Sequence, residues 1–361
     1  MHGQSGLEQP ESRVASKVEI DGVVHYFGKK SAVRGVSLTV EQGEIVCLLG
    51  HSGCGKTTLL RILAGTERPQ SGTIRLDQKV VVADDTFVPP EKREVGLMFQ
   101  DFALFPHLTV LDNVRFGLSR LTPAEANREA REALERVGLA QTANDHPHML
   151  SGGMQQRVAL ARAIVPKPRI ILMDEPFSGL DRRTRDRVRD ETLGILRELG
   201  TTTLVVTHDP DEALRIADRI VLMRDGRIVQ DGSARDFYNQ PVDAFAARFF
   251  HELNEFDAVA KGGKAHTPLG EIDAKAHADG TQLLVGIRHS AVELSDADEQ
   301  SNGPRATVTA VQFLGEIDLV RLMFEGLDRP VFARSADIDR HKPGDKVGIR
   351  VHPEGAMVFQ N

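Results

Sequence analysis

Gly50-His51-Ser52-Gly53-Cys54-Gly55-Lys56-Thr57 is the stretch that decides the fold of this chain. The octapeptide fits G-x-x-x-x-G-K-[ST], a loop that wraps nucleotide phosphates. Its glycines let backbone N–H groups turn inward as a nest, and a helix that follows adds its positive dipole end. Lys56 is expected to reach the β/γ-phosphates and the Thr57 hydroxyl to ligate Mg²⁺. Gly50, Ser52, Gly53, Cys54, Gly55, Lys56, Thr57 and Thr58 are the candidate phosphate-binding residues.

The flanks suit that mechanism. Residues 44–49 form an apolar run of strand length directly before the loop. After it, Leu59, Ile62 and Leu63 recur at helical spacing and Gly65 supplies a stop. Strand, glycine-rich loop and helix follow in the order the chemistry needs.

Composition narrows the class. The chain has 361 residues, 40% of them hydrophobic and 27% charged, as expected of two globular domains or of one large domain with a tail. A net charge of −7 gives no global basic footprint for nucleic acid. Met1 to Val14 is polar, without an apolar h-region, and residues 1–16 read as a disordered lead. No apolar stretch approaches bilayer length, so the chain is not expected to span a membrane. Cys47 falls in the apolar strand and reads as a small core side chain. Cys54 lies beside a helix N-terminus and Lys56, so its thiol is expected to react with alkylating agents and to be shielded by ATP. A bridge between the two is not expected, which fits a reducing compartment.

Along the chain, residues 18–38 alternate loosely and carry turn signals at Asp21-Gly22 and Gly28, as short antiparallel strands would. Residues 71–76 and 80–82 extend this β-rich part until Pro89-Pro90 breaks it. Thr122-Pro123-Ala124-Glu125 is a capping box that opens a helix ending at Gly138. Ser151-Gly152-Gly153 opens another. Residues 170–173 and 203–206 are uninterrupted apolar runs, the pattern of strands buried on both faces of a parallel sheet. Asp225-Gly226 between two apolar runs signals a type I′ hairpin. From about residue 242 the chain becomes a second unit of short segments and glycine turns. Val285-Gly286-Ile287-Arg288 recurs there as Val347-Gly348-Ile349-Arg350, which suggests a small β-barrel of two similar halves.

Further site candidates sit at strand ends. Asp174-Glu175 closes one apolar run; Asp174 can hold Mg²⁺ next to Thr57, and Glu175 can polarise an attacking water. His208 closes the next run and is placed to meet a γ-phosphate. Ser151, Gly152 and Gly153 make a second phosphate-binding helix N-terminus, which suggests a site shared between two subunits.

Taken in order, these motifs resemble an ATP-binding cassette (ABC) ATPase over residues 17–240. The likeness rests on Walker A at 50–57 and a Q-loop at Met98-Phe99-Gln100-Asp101. It continues through a signature at 150–155, Walker B at 170–175, a D-loop at Ser178-Gly179-Leu180-Asp181 and the switch His208. The signature departs from LSGGQ by carrying Met154 but keeps the serine and both glycines. The resemblance implies an α/β fold: a P-loop domain with a mixed sheet, an antiparallel β subdomain and a helical subdomain at about 101–165. It implies Glu175, His208 and Gln100 as catalytic residues, Thr57, Asp174 and Gln100 around Mg²⁺, and Phe27 stacked on adenine. It also implies a head-to-tail homodimer clamping two ATPs and an Asp181 that couples the two sites.

The tail, 241–361, is similar to the oligonucleotide-binding-fold (TOBE) extension of solute-importer ATPases, through residues 308–315 and Val351-His352-Pro353-Glu354. This implies the motor of a bacterial-type importer, peripheral on the cytoplasmic face of the inner membrane. Separate permeases would dock on the helical part, a solute-binding protein would act indirectly, and nucleic acid would not be bound. Residues 87–93 and 97–107 look closest to ferric-iron importer ATPases, with polyamine, sulfate, molybdate, phosphonate and thiamine importers as alternatives. A soluble ABC ATPase acting on nucleic acid or ribosomes is the competing class.

Overall fold

Residues 17–296 and 303–360 are described by the computed structural model, and the expected lead at 1–16 lies outside them. The chain divides into two compact units, 1–237 and 238–361.

In the first unit the apolar runs stack into a six-stranded sheet. The phosphate-loop strand Ile45–Leu49 lies near its middle, with Thr202–Thr207, Ile170–Asp174 and Val95–Met98 successively on one side and Arg219–Arg224 on the other. All of these pair in parallel. Arg227–Gly232 adds an antiparallel edge through a turn with Asp225 at φ 50° and Gly226 at φ 79°. Both central residues are left-handed, as a type I′ turn demands. Ile45–Leu49, Ile170–Asp174 and Thr202–Thr207 are buried throughout, which explains their lack of polar alternation.

Register then sets the site. Leu49 pairs with Thr207, Asp174 with Val206 and Met98 with Met173. The residues that follow each strand, Gly50, Glu175, His208 and Gln100, therefore emerge side by side at one sheet edge. Ligands of open α/β sheets bind at these carboxyl ends.

A second, antiparallel five-stranded sheet begins with Val18–Phe27 and Lys30–Val40. Here the Asp21-Gly22 expectation is corrected. It is no turn but a bulge within one continuous strand: the register slips between Ile20 and Val23, and Gly22 takes φ 59°. Both sheets and Leu59, Leu60 and Leu63 of the phosphate-loop helix share one apolar core.

The helical part contains Val110–Arg115, Pro123–Arg136 and Gly152–Ile164. The capping box at Thr122 and Glu125 forms as read.

The second unit holds two five-stranded sheets around one core. Its two repeats exchange strands. Gln282–Arg288 turns through a short 3₁₀ segment into Val292–Asp296, and Lys346–Val351 turns likewise into Ala356–Gln360. Yet Gln282–Arg288 pairs with Ala356–Gln360, and Lys346–Val351 with Val292–Asp296. Each half thus completes a sheet of the other.

Candidate active site

Positive φ at Gly50 (152°), Gly53 (82°) and Gly55 (109°) curls the phosphate loop. Two of these glycines are also forced by contact. A Cβ at Gly50 would lie 2.4 Å from the Met223 carbonyl oxygen, and one at Gly55 would lie 2.2 Å from that of Ala32. Lys56 is buried, and its Nζ donates to the carbonyls of Gly50 at 2.6 Å and His51 at 3.1 Å. The ammonium is thereby held inside the curl of the loop. Gly55 caps the helix Lys56–Ala64 without a side-chain hydrogen bond, leaving the helix N-terminus to the loop. Ser52 and Gly53 are exposed on it, and Thr58 is half-buried in the first turn.

Cys54 departs from expectation. It is 7% exposed and belongs to the apolar core, with its sulfur 3.8 Å from Lys56 Nζ. The curl of the loop turns this side chain into the core, so the thiol expected to react readily is a packed one. Cys47 is fully buried, as read, and burial pushes its thiol well up, which makes it inert.

Arg93 was missed by motif reading. Its guanidinium donates to Ile62 O (2.6 Å), Leu63 O (2.8 Å) and Val88 O (2.7 Å), closing the C-terminus of the phosphate-loop helix. Burial lowers it to about 10, and the helix's negative end still favours the cation. Three residues past the Pro89-Pro90 break, it carried no local signal.

Thr57 Oγ1 donates to Asp174 Oδ1 at 3.0 Å. Burial raises the Asp174 carboxyl, opposed by that hydrogen bond and reinforced by the nearby Glu175 charge. Two adjacent hard oxygen donors, one of them a poorly solvated carboxylate, fit a divalent cation such as Mg²⁺.

Glu175 carries the strand past its end with φ 45°, a left-handed conformation that costs a non-glycine residue about 1–3 kcal/mol. Its amide donates to Val206 O at 2.9 Å. Both carboxylate oxygens are engaged: Oε1 lies 3.0 Å from His208 Nδ1, and Oε2 accepts from Gln100 Nε2 at 3.2 Å. A carboxylate so oriented, with a histidine at its side, can receive a proton from a water. Thr57, Gln100, Asp174, Glu175 and His208 all line one open cleft of about 870 Å³.

The other candidates lie outside that lining. Phe27 ends its strand 48% exposed, with His25 edge-on at 4.6 Å and 78°. Ser151 caps Gly152–Ile164 by accepting from Met154 N, while Ser151 and Gly152 stay exposed. Gly153 is buried, and its missing Cβ would meet Thr184 Cγ2 at 2.9 Å. Asp181 caps Arg182–Leu199 by accepting from Thr184 N at 3.1 Å. One chain therefore brings Thr57, Gln100, Asp174, Glu175 and His208 together and displays Ser151 apart from that lining.

The chain is similar to known proteins in both of its units. The ABC transporter family profile matches residues 33–178, and the TOBE domain profile matches 285–359. The chain is 42% identical to a sulfate/thiosulfate import ATP-binding protein of Chromobacterium violaceum, over 88% of this chain and 86% of that one. It is 43% identical to an Fe(3+) ions import ATP-binding protein of Streptomyces coelicolor (87% and 89%). It is 48% identical to a spermidine/putrescine import ATP-binding protein of Escherichia coli (71% and 68%). Among solved structures it is similar to an ATP-binding cassette captured as a post-hydrolysis dimer with ADP and Pi. That match has a TM-score of 0.54 at 33% identity and covers 60% of this chain and 99% of the other. Among the described residues, no helix is long and apolar enough to cross a membrane. The chain belongs to the ABC transporter family, as an ATP-binding, ATP-hydrolysing subunit of the importer type.

Proposed function

We propose that two copies of this chain clamp two ATPs head to tail and so drive solute uptake through separate permeases at the cytoplasmic face of the plasma membrane. The observation that carries this is the engagement of Glu175 by both His208 and Gln100 beside the phosphate loop. In this reading the loop residues 50–58 bind the phosphates, and Phe27 stacks on adenine. Ser151, Gly152 and Gly153 close the site of the other copy, and Asp181 couples the two sites. Thr57, Asp174 and Gln100 hold Mg²⁺, which would neutralise charge on the transferring phosphoryl group. Glu175 accepts the proton of the attacking water, and His208 contacts the γ-phosphate. Phe116 (61% exposed) and Met149 (63% exposed) give the helical part an apolar surface suited to a permease. A solute-binding protein delivers the cargo to those permeases.

The relatives reported above support three cargo classes. Relatives named for sulfate/thiosulfate, spermidine/putrescine and Fe(3+) lie between 42 and 48% identity, so the ferric-iron expectation gains no preference. The test is uptake of labelled ferric iron, sulfate and spermidine by host cells whose only copy carries Glu175→Gln. Selective loss of one uptake identifies the cargo. Retention of all three, with normal expression of the variant, would overturn these assignments.

A further inference from the structure

Arg185 also lines this cleft and has no part in the reading above. Arg185 lies in the first turns of Arg182–Leu199, its side chain 35% exposed. Its Nη2 donates to the Leu180 carbonyl at 2.9 Å. Its Nη1 stands 3.7 Å from Asp209 Oδ2. Helix stability does not explain it, because a positive charge near a helix N-terminus opposes the dipole and this first turn holds no acid.

The contacts around it close into a ring. Asp209 uses Oδ1 to accept from the amides of Asp211 (2.9 Å) and Glu212 (3.2 Å), capping the helix Pro210–Ile216. That leaves Oδ2 to face Arg185. Asp209 follows His208, whose Nδ1 is 3.0 Å from Glu175 Oε1. On the other side, Ser178 Oγ donates to the Glu175 carbonyl at 3.0 Å, and Leu180 lies two residues further on. The circuit runs Glu175, Ser178, Leu180, Arg185, Asp209, His208 and back to Glu175.

We propose that Arg185 is a positioning residue for hydrolysis, locking segment 178–181 in register with His208-Asp209 and so setting the Glu175–His208 pair. Glu175 needs such a lock. Its left-handed backbone does not hold itself, so its carbonyl and carboxylate must both be restrained from outside. Arg185 joins those two restraints. A planar guanidinium presents separate N–H groups to a carbonyl and a carboxylate in different directions; an ammonium offers one point charge on a flexible stem. Asp181 caps the same helix, so a shift of that segment reaches His208 through Arg185.

The inference rests on Glu175 and His208 being the hydrolytic pair. Its test is a double-mutant cycle on the full chain with Arg185→Gln and Asp209→Asn, since asparagine keeps the helix cap. Each single variant is expected to lower kcat about tenfold, and the double variant no further. ATP affinity by fluorescent-nucleotide titration and Tm are expected to stay at wild-type values, and Arg185→Lys is expected not to restore kcat. An additive loss of about a hundredfold, or losses that track Tm or ATP affinity, would overturn the ring. Glu175→Gln distinguishes the two failures. If it retains the wild-type rate, the hydrolytic pair falls and the ring with it; if it is inactive while the cycle is additive, only the ring falls.

Discussion

Burial raises the Asp174 carboxyl against the opposing hydrogen bond from Thr57. Since the folded-state pKa is the raised one, ionised Asp174 costs stability at neutral pH, and the cost disappears as pH falls through that pKa. Asp174→Asn is therefore expected to raise the Tm of the nucleotide-free protein by about 2–4 °C near neutral pH. The difference should shrink in acid, while ATP hydrolysis falls about a hundredfold or more. A lower neutral-pH Tm for the variant, measured by calorimetry, would contradict burial as the cause. The left-handed Glu175 next to it belongs to the same pattern, a site that trades local stability for placement.

At the scale of elements, two helices meet through a missing side chain. Gly153 is the second residue of Gly152–Ile164, and its absent Cβ leaves room for Thr184 Cγ2 at 2.9 Å and Val188 Cγ2 at 3.3 Å on Arg182–Leu199. Alanine would gain up to about 1 kcal/mol of helix propensity, less so near a helix end. Overpacking against a stiff β-branched neighbour costs about 1–3 kcal/mol. The second effect wins, so Gly153→Ala is expected to lower Tm by several degrees and Thr184→Ser to restore much of it. Thermal melts of the two single variants and the pair decide this. An equal Tm for Gly153→Ala and wild type would mean that the helices separate freely. The same residue thus serves packing within one chain, besides the phosphate contact proposed for it.

For the whole molecule, the two units carry separate cores, and the strand exchange makes the second one depend on its last strand. Ala356–Gln360 covers Leu283, Val285 and Ile287, all fully buried. A chain stopped after His352 would expose that strand's edge and apolar face. It is expected to show protease-sensitive sites within residues 238–352 while binding a fluorescent ATP analogue as tightly as the full chain. Limited proteolysis and nucleotide titration measure the two halves of this expectation. Weakened ATP binding would mean that the first unit leans on the second.

Much of this was legible residue by residue. The buried parallel strands showed as unbroken apolar runs, because both of their faces meet core. The phosphate loop showed because only glycine tolerates its φ values and its backbone contacts. The I′ turn, the capping box and the helix stop at Gly65 showed because their chemistry lies within four residues. What the sequence could not carry was set by residues distant along the chain. Asp21-Gly22 has turn composition, yet pairing with Lys30–Val40 and Ser71–Leu76 on its two sides holds it as a bulge. Cys54 lies in a polar loop, yet the curl folds it into the core. Arg93 and Arg185 matched no motif, since the helix carbonyls that Arg93 closes and the Asp209 carboxylate that Arg185 faces come near only in the fold. Local propensity and backbone sterics act over a few residues and can be read from them. Burial, register and hydrogen bonds across tens of residues arise only from the packed fold.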